Sequence, residues 1–454
     1  MGLRTSLLRQ LENPSLSVDS RAELRCGLAR ELEDKGEYES AREVLGELWK
    51  RIGEHPQVAG LQLSIAAEVL LRAGVLTGAI GSKSQMADAQ ETAKNLISES
   101  LTVFKLLSYK KKIAEAQIEL ALCYWRTGEY NEARDLLKDI LKRLTTDSEL
   151  RAKAVLRLVI VERADANYSE ALNILTEHAA LFQKINNPTL KGSYHVTLGN
   201  VLEGLWESEQ KQDYLDRILI EYTAASYHFE QAQHKCYRAN VENNLGFIYF
   251  TISRFKDAHQ HLDKARRILT SLKDSVTIAQ VDETRARVFL KEKRYSEAEK
   301  VARLAIKTLE QSDRQSLLVE ALITHGTVLA RLGRHSVALS IFRQAVDISQ
   351  QIGSLNRAAE AALTAFQEMG DHLISDDARS LLAGQTLSDE IKQFEHHLIK
   401  HALDASQGSV TYAAKSLGIS YQSLGYMLET RHKDLSTARV PKRSRKAAAL
   451  ERVS

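Results

Sequence analysis

The chain contains 454 residues, of which 44% are hydrophobic and 27% are charged, a composition typical of a folded and not of a disordered protein. Only 4 prolines and 22 glycines are present, which favours long helices joined by short turns. The three cysteines are isolated, and their spacing excludes a disulfide framework or a cysteine-based zinc site. Because there is no apolar run of about 18 residues and no N-terminal signal sequence, we expect a cytoplasmic protein without a membrane segment.

The formal net charge of +3 is unevenly distributed along the chain. Residues 431–454 contain eight Lys and Arg residues against Asp434 and Glu451, which leaves the preceding part of the chain close to neutral. A basic tail of this kind is a candidate contact for a polyanion such as DNA. A solvated, disordered terminus is an equally good interpretation of the tail taken alone.

A spaced pattern of small and aromatic residues repeats along most of the chain. In each copy a small residue is followed nine positions later by an aromatic residue and twelve positions later by Ala. The copies, the last with His in place of the aromatic residue, are Ala29/Tyr38/Ala41, Ala121/Tyr130/Ala133, Val159/Tyr168/Ala171, Gly246/Phe255/Ala258, Ala286/Tyr295/Ala298 and Gly326/His335/Ala338. We expect the small residue to let two antiparallel helices approach closely, and the aromatic ring to fill the space where they diverge.

Each such helix pair leaves an apolar face that only a neighbouring pair can cover, so the pairs are expected to stack into a solenoid. The pattern resembles the tetratricopeptide repeat over most of residues 20–365. This resemblance implies an all-α fold, a tetratricopeptide-like (TPR-like) α-solenoid of about eight helix pairs. We expect the solenoid to end in a capping helix over residues 355–369.

Two of the predicted units carry insertions. The first insertion, residues 74–84, is rich in Gly and Ser, and the second, residues 207–213, is polar. We interpret residues 74–84 as a flexible loop within one repeat. The alternative, a phosphate-binding loop, is disfavoured because the contiguous Gly-Lys-Ser/Thr is missing and no strand is predicted before it.

The pattern changes after residue 384, where three short helices are predicted. Apolar residues recur at helical spacing from Ile391 to Leu403, the next helix carries the paired Ala413 and Ala414, and Gly418 permits the turn into the third. This order of elements is that of a helix-turn-helix. Residues 408–424 resemble the Fis-type DNA-binding module found at the C-terminus of NtrC-like bacterial regulators, and the resemblance implies that this module binds DNA.

We expect the third helix, residues 420–431, to enter the major groove of DNA. Its first turn carries Tyr421, Gln422 and Ser423 where the family usually has basic residues. We expect base contacts from Gln422, Ser423 and Tyr426, and phosphate contacts from nearby basic residues and the tail. The complete predicted DNA-binding set is Thr411, Lys415, Ser420, Tyr421, Gln422, Ser423, Tyr426, Arg431, Lys433, Lys442, Arg443, Arg445 and Lys446. Because one module makes few contacts, we expect a homodimer on DNA and a palindromic or repeated site.

The inner surface of the solenoid is a second candidate site. First helices of such repeats line a concave groove that suits an extended peptide or a partner helix. We expect a protein or peptide partner to contact five polar residues that project from successive first helices, namely Asn200, Asn240, Asn243, Asn244 and Arg287. Ordinary polar residues on a solvated face are an equally good interpretation of this set.

No catalytic or metal site is indicated. His397 and His401 have the four-residue spacing of a two-histidine metal site, but the Glu of that motif and a third ligand are missing. We therefore interpret them as solvent-facing. No nucleophile and base are paired by their spacing, so we expect no enzymatic activity, no cofactor and no metal.

These observations predict three segments: a ligand- or partner-binding TPR solenoid over residues 1–384, a Fis-type helix-turn-helix domain over residues 385–436, and a basic, disordered tail over residues 437–454. The corresponding function is that of a DNA-binding transcriptional regulator whose solenoid senses or docks a protein or peptide. The alternative is a non-enzymatic scaffold whose C-terminal three-helix unit is a cap or a dimerisation module. The basic tail favours the regulator, because a cap needs no such tail.

Overall fold

The computed structural model describes residues 15–84, 86, 88–373, 387–406 and 408–438. All regular secondary structure in these ranges is helical, and none of the residues described there forms a strand. The chain divides into two compact units, Met1–Ala321 and Leu322–Ser454. The boundaries at residues 384 and 436 stay predictions, and the tail beyond residue 438 lies outside the described residues.

The α-helices are numbered here in chain order over the described residues. Their bounds are α1 Val18–Glu33, α2 Tyr38–Leu45, α3 Leu63–Lys83, α4 Ala89–Leu106, α5 Lys110–Arg126, α6 Tyr130–Arg143, α7 Glu149–Ala164, α8 Tyr168–Glu177, α9 Ala179–Lys184, α10 Pro188–Glu209, α11 Gln212–Gln231, α12 Lys235–Thr251, α13 Phe255–Leu272, α14 Ser275–Lys291, α15 Tyr295–Leu309, α16 Gln315–Arg331, α17 His335–Gln351, α18 Leu355–Leu373, α19 Leu387–Ala405, α20 Val410–Ser416 and α21 Tyr421–Thr430. Short 3-10 helices occur at Gly46–Leu48 and Lys433–Ala438.

Consecutive helices of the described chain form eight pairs, from α1 with α2 to α16 with α17. The short α9 lies outside the pairing, between the fourth and the fifth pair, and α18 follows the eighth. The prediction of about eight helix pairs and a terminal capping helix is therefore confirmed. In each of the six patterned copies the aromatic residue, or His335 in the last copy, is the first residue of the second helix.

The small residues of the pattern lie where the two helices of a pair cross. The patterned alanines, such as Ala41 and Ala258, have no solvent exposure. A Cβ atom added to Gly246 would lie 2.6 Å from Leu262 Cγ, which is closer than packed atoms allow. Helix crossing at this distance therefore requires glycine, because any side chain would push the two helices apart.

The first insertion lengthens a helix instead of forming a loop, so the prediction of a flexible loop over residues 74–84 was wrong. The second insertion spans the end of α10, a short turn at Gln210 and Lys211, and the start of α11. Helix α3 runs without a break from Leu63 to Lys83. Its glycines allow close packing on α4, since a Cβ atom on Gly74 would lie 2.6 Å from Ile97 and one on Gly81 would lie 2.2 Å from Ala89. Glycine composition alone does not separate a helix crossing from a loop.

Helix α3 is also the one described helix that is long and apolar enough to cross a membrane by length and composition. Within that window, residues 63–82, 72% of the residues are buried inside the protein. Four other helices, α1, α2, α4 and α5, pack on α3 and cover its apolar surface. A core helix of a helical solenoid accounts for this composition.

The solenoid of the first unit curves until its first pair meets its fourth and sixth pairs. Lys153 Nζ of α7 lies 3.3 Å from Asp34 Oδ1, in the turn that follows α1. In the same turn, a Cβ atom on Gly36 would lie 3.0 Å from the ring of His234, which stacks on Tyr237 with ring centroids 3.8 Å apart. The first of these contacts joins residues 119 positions apart in the chain, and together they bring the inner surface of the solenoid around a cavity.

Titration of His234 should make the stability of this closure depend on pH. Burial lowers the pKa of His234 from 6.5 to about 4, so the folded state keeps the ring neutral while the unfolded state takes up a proton below pH 6.5. This contribution to stability is present above pH 6.5 and is lost as the pH falls towards 4. Between pH 7 and pH 4, we expect the free energy of unfolding of His234→Asn to fall by about 3 kcal/mol less than that of the unsubstituted protein.

Denaturant titration at a series of pH values measures this difference. Asn suits the substitution because it can still cap α12, as His234 Nδ1 does by accepting from the Tyr237 amide at 3.3 Å. His401→Asn, at an exposed histidine, is the matched control and should keep the original pH slope. If the free energy of unfolding of His234→Asn fell with pH as steeply as that of the unsubstituted protein, His234 would not be the source of this pH dependence.

Candidate functional site

The C-terminal module consists of α19, α20 and α21 around a small apolar core. Ala413 and Ala414 of α20 are at most 2% exposed, which lets the short helix pack closely between its neighbours. Gly418 has a φ of +67°, so the turn into α21 adopts the left-handed conformation that favours glycine. The buried core residues are Ile399, Ala402, Leu403, Ala413, Ala414, Leu424, Leu428 and Leu435.

The start of α21 is fixed by a side-chain cap. Ser420 has an extended backbone, and its Oγ accepts a hydrogen bond from the Ser423 amide at 3.0 Å. An N-cap serine satisfies one of the free amides in the first turn of a helix. The cap therefore determines which residues stand at the N-terminal end of this helix.

Helix α21 separates a buried face from a polar, aromatic one. Leu424 and Leu428 on the inner face have no solvent exposure. On the outer face Tyr421 is 51% exposed, Tyr426 is 66% exposed, and Gln422 is exposed between them. An exposed face that pairs amide and phenol groups can contact base edges and phosphates.

The remaining predicted DNA contacts are also at the surface where the structure describes them. Thr411 and Lys415 are exposed on α20, and Lys433 is exposed at the start of the final 3-10 helix. Arg431 is exposed and lies 3.4 Å from Glu395 of α19, so part of its charge is already neutralised. Four tail residues of the predicted set lie outside the described residues, namely Lys442, Arg443, Arg445 and Lys446.

The sequence analysis missed two residues of the module. Tyr412 is 70% exposed, because the neighbouring Ala413 and Ala414 face the core and leave the preceding position of α20 outside. His432 is 1% exposed, and its Nε2 lies 3.2 Å from Glu395 Oε2, which ties the end of α21 to α19. The paired alanines were the available signal for Tyr412, whereas nothing local pointed to the pairing of His432.

His397 and His401 are both exposed, as the interpretation of solvent-facing residues expects. Across the ranges that the structure describes, no group of three or more His, Cys, Asp or Glu side chains could hold a metal ion.

The second candidate site is the cavity inside the first unit, which has a volume of about 490 Å³. Side chains from α1, α3, α5, α7, α10 and α12 line it, the first helices of six successive pairs. A smaller cavity of about 170 Å³ continues along α12 and α14. Of the predicted groove residues, Asn200, Asn240 and Asn244 line the large cavity, and Asn243, Asn244 and Arg287 line the small one.

The predicted groove residues differ in the hydrogen bonds that their side chains form. Asn200 Oδ1 lies 2.7 Å from the Tyr222 hydroxyl, which fixes the orientation of its amide. Arg287 Nε donates to Glu283 Oε1 of the same helix at 2.5 Å. Asn243 Oδ1 is buried and accepts no hydrogen bond from any residue that the structure describes. Polar groups that are oriented or unsatisfied in a cavity are suited to binding a polar ligand.

Charged residues that the sequence analysis did not single out dominate the large cavity. At one end Arg72 is 3% exposed, contacts Glu33, and donates to Glu115 Oε1 at 2.6 Å. Lys112 lies 2.6 Å from Glu68 and adds a second cation to this network. The two residues of each of these ion pairs stand on different helices and are 39 to 44 positions apart in the chain. No local spacing in the sequence therefore revealed the pairs.

Residues 390–429 match the sequence model of the family described as "Bacterial regulatory protein, Fis family". The match covers the three helices of the C-terminal module except for their outermost residues. The C-terminal module is therefore a Fis-type helix-turn-helix, as its residues implied. A search of curated protein sequences found no match to the chain.

Solved structures similar to this chain are helical repeat proteins. A Rap protein complexed with competence and sporulation factor superposes with a TM-score of 0.50 at 14% identity, over 83% of this chain and 100% of the other. Aspartyl phosphate phosphatase F from Bacillus subtilis gives 0.49 at 13% identity, over 76% and 92%. NprR in complex with its cognate peptide NprX gives 0.45 at 11% identity, over 79% and 98%. The likeness to the Rap protein shows a shared TPR-like solenoid fold.

Proposed function

We propose that this chain is a cytoplasmic, non-enzymatic transcriptional regulator that binds DNA through its C-terminal module and a protein or peptide through its solenoid. The exposed outer face of α21, with Tyr421, Gln422 and Tyr426, is the observation that carries the DNA-binding half. It stands on a helix of a Fis-type module whose inner face is fully buried. Exposed polar groups on a rigid, capped helix are what major-groove recognition requires.

In this proposal α21 enters the major groove. The Gln422 amide donates to and accepts from one adenine edge, and Tyr426 contacts a phosphate or a thymine methyl. Lys415, Arg431, Lys433 and the basic tail contact phosphates and fix the register of the module on the duplex. Because α21 has only ten residues, two copies of the chain binding two half-sites would supply the remaining contacts.

The solenoid half of the proposal rests on the cavities of the first unit. A volume of about 490 Å³ is in the range of sites that enclose most of a ligand, and amides of Asn200, Asn240 and Asn244 line it. Side-chain amides can pair with both the donors and the acceptors of an extended backbone. The Rap protein that shares the fold is itself complexed with competence and sporulation factor, which supports a partner for the solenoid here.

The DNA-binding half is tested by selecting duplexes from a random pool with the full-length chain, followed by affinity measurements over a salt series. We expect an enriched motif with adenine at one position. Gln422→Ala should then lose discrimination at that position by about 1–3 kcal/mol, or roughly 5- to 150-fold in relative affinity, because one bidentate base contact is removed. Discrimination at the other positions should change little.

Thr430→Ala is the matched control, because Thr430 is exposed at the other end of α21 and donates its hydroxyl to Tyr426 O. This variant should keep the motif. Absence of DNA binding even at low salt would refute the regulator and favour the scaffold. Binding without a motif, but with a steep salt dependence, would restrict the module to non-specific phosphate contacts.

A further inference from the structure

Helix α18 stands where the first helix of a ninth repeat unit would stand. The small residue of the repeat recurs at a spacing of 40 residues in the last three units, at Gly246, Ala286 and Gly326. The residue 40 positions after Gly326 is Phe366, in the second half of α18. A large side chain therefore occupies the position at which a small one lets a second helix approach closely.

The face of α18 that a second helix would cover is apolar and exposed. It carries Ala359, Leu363 and Phe366, whose spacing of four and three residues places them on one side of the helix. Leu363 is 57% exposed and Phe366 is 48% exposed. In α16, Val319 precedes Gly326 as Ala359 precedes Phe366, and Val319 has no solvent exposure. Terminal units of solenoids normally present a polar outer face to water, and α18 does not.

Helix α18 also continues past the point at which the repeat would turn back. After Gly326 the turn begins at residue 332, and the second helix begins at His335. The corresponding turn after Phe366 would begin at residue 372, but α18 remains helical to Leu373. A second helix in the register of the repeat is therefore excluded, and another molecule is the better cover for this face.

We propose that the outer face of α18 binds the same face of a second copy of this chain. A face that pairs with itself about a two-fold axis forms a closed dimer and leaves none of its apolar surface for further copies. The inference deepens the two-copy part of the proposed function by naming the surface that joins the copies, and it rests on that part for the role of the dimer.

The pattern of side chains on this face is self-complementary. With the two α18 helices antiparallel and the two-fold axis close to Leu363, Phe366 of each copy packs on Ala359 of the other. A large side chain then meets a small one, which is how helix surfaces interdigitate. Glu360 and Gln367 are exposed beside the apolar residues and form a polar rim that stays in contact with water.

The position of α18 in the chain favours a second copy as the molecule that covers it. Residues 374–386 separate the end of α18 from the start of α19. A segment of this length spans at most about 45 Å, and two half-sites one turn of DNA apart lie about 34 Å from each other. Two copies joined at α18 therefore keep their helix-turn-helix modules close enough to reach adjacent half-sites together.

The inference is tested by sedimentation equilibrium of the full-length protein without DNA. We expect the unsubstituted chain to form a reversible dimer. Leu363→Glu with Phe366→Glu should raise the dissociation constant at least about a hundredfold, because apolar anchors are lost and like charges from both copies meet. Ile220→Glu with Tyr227→Glu, at two exposed apolar residues of α11, is the matched control and should dimerise normally. Thermal unfolding of the monomer should be the same in both variants, since all four side chains are exposed.

A cysteine crosslink checks the position of the two-fold axis. When diamide oxidises the thiols of Leu363→Cys, we expect a disulfide between two copies, seen as a covalent dimer in non-reducing electrophoresis. Such a bond requires Cα atoms within about 7 Å of each other, which only residues near the axis satisfy. Ile220→Cys and the unsubstituted chain are the controls and should give no covalent dimer, because the natural cysteines are buried or half-buried.

An unsubstituted chain that stays monomeric would overturn the inference and leave the α18 face to residues 374–386 of the same chain. A dimer that persists in Leu363→Glu with Phe366→Glu would overturn it as well, and would place the contact between copies elsewhere. Neither result touches DNA binding by a single module, which the duplex selection measures separately. An α18-dependent dimer in a chain that binds no DNA would support the inference while the regulator itself fails.

Discussion

Leu424→Asp should abolish DNA binding by the chain, with affinity reduced at least about a hundredfold. Leu424 has no solvent exposure and belongs to a core of only eight buried side chains. A carboxylate placed there has no partner, and burying an unpaired charge costs about 4 kcal/mol or more. A module with so small a core does not retain its fold after such a loss, and the recognition face of α21 is lost with it.

Thr430→Asp is the matched control, because it adds the same charge at an exposed position of the same helix. Far-UV circular dichroism and denaturant titration should show an additional early transition only in Leu424→Asp. The first unit has its own cores, so its unfolding should be the same in both variants. Normal DNA binding by Leu424→Asp would contradict the recognition role of α21.

Arg72→Ala should destabilise the first unit by about 3–5 kcal/mol, since it leaves buried carboxylates without a cation. Arg72 contacts Glu33 and lies 2.6 Å from Glu115 Oε1, and its own side chain is 4% exposed. Burial raises the pKa of Glu33 to about 7 even with Arg72 present. Burial also acts to raise the pKa of Glu115, but the charge of Arg72 and its neighbours holds that pKa below its ordinary value.

The pH dependence of this destabilisation has a definite sign. In Arg72→Ala the folded-state pKa of Glu33 rises further above its unfolded value of 4.5, and that of Glu115 rises from its lowered value, so the folded state releases its protons at higher pH. Stability contributed by a carboxyl with a raised pKa falls as the pH rises through that window. The difference between Arg72→Ala and the unsubstituted protein should therefore be larger at pH 8 than at pH 5.

Denaturant titrations at the two pH values measure this difference. Arg267→Ala is the control: Arg267 is exposed and bonds only the backbone carbonyl of Asp263 in its own helix, so its loss should cost about 0.5 kcal/mol or less. Equal effects of the two substitutions would show that the Arg72 network does not stabilise the fold.

Most of the fold could be predicted because its rules act over short distances along the chain. The aromatic residue of each repeat starts a helix, and the small residue and Ala lie at the crossing of one pair, all within thirteen residues. The helix-turn-helix could be predicted in the same way, because Ala413 and Ala414 indicate one close helix crossing and Gly418 indicates one turn. Residues 74–84 were mispredicted because their glycines are needed for close packing against side chains of the next helix, such as Ile97. That contact is not visible within the segment itself.

Turn conformations show the limit of this local reasoning. The residue two positions before the aromatic adopts a positive φ in each of the six patterned repeats, and it is Gly36, Gly128 and Gly333 in three of them. In the others Ala166, Ser253 and Lys293 stand there. These side chains carry no preference for the left-handed conformation, so the helix packing on both sides imposes it.

By itself, the sequence determined the helix pairs, their number, the capping helix and the helix-turn-helix, since each depends on spacing within one or two helices. It also placed the groove asparagines on the inner helices. Only the tertiary structure decided that the solenoid closes on itself and that Arg72 neutralises Glu33 and Glu115. Curvature accumulates from small rotations between successive pairs, so charges up to 119 residues apart meet or fail to meet without any local signal.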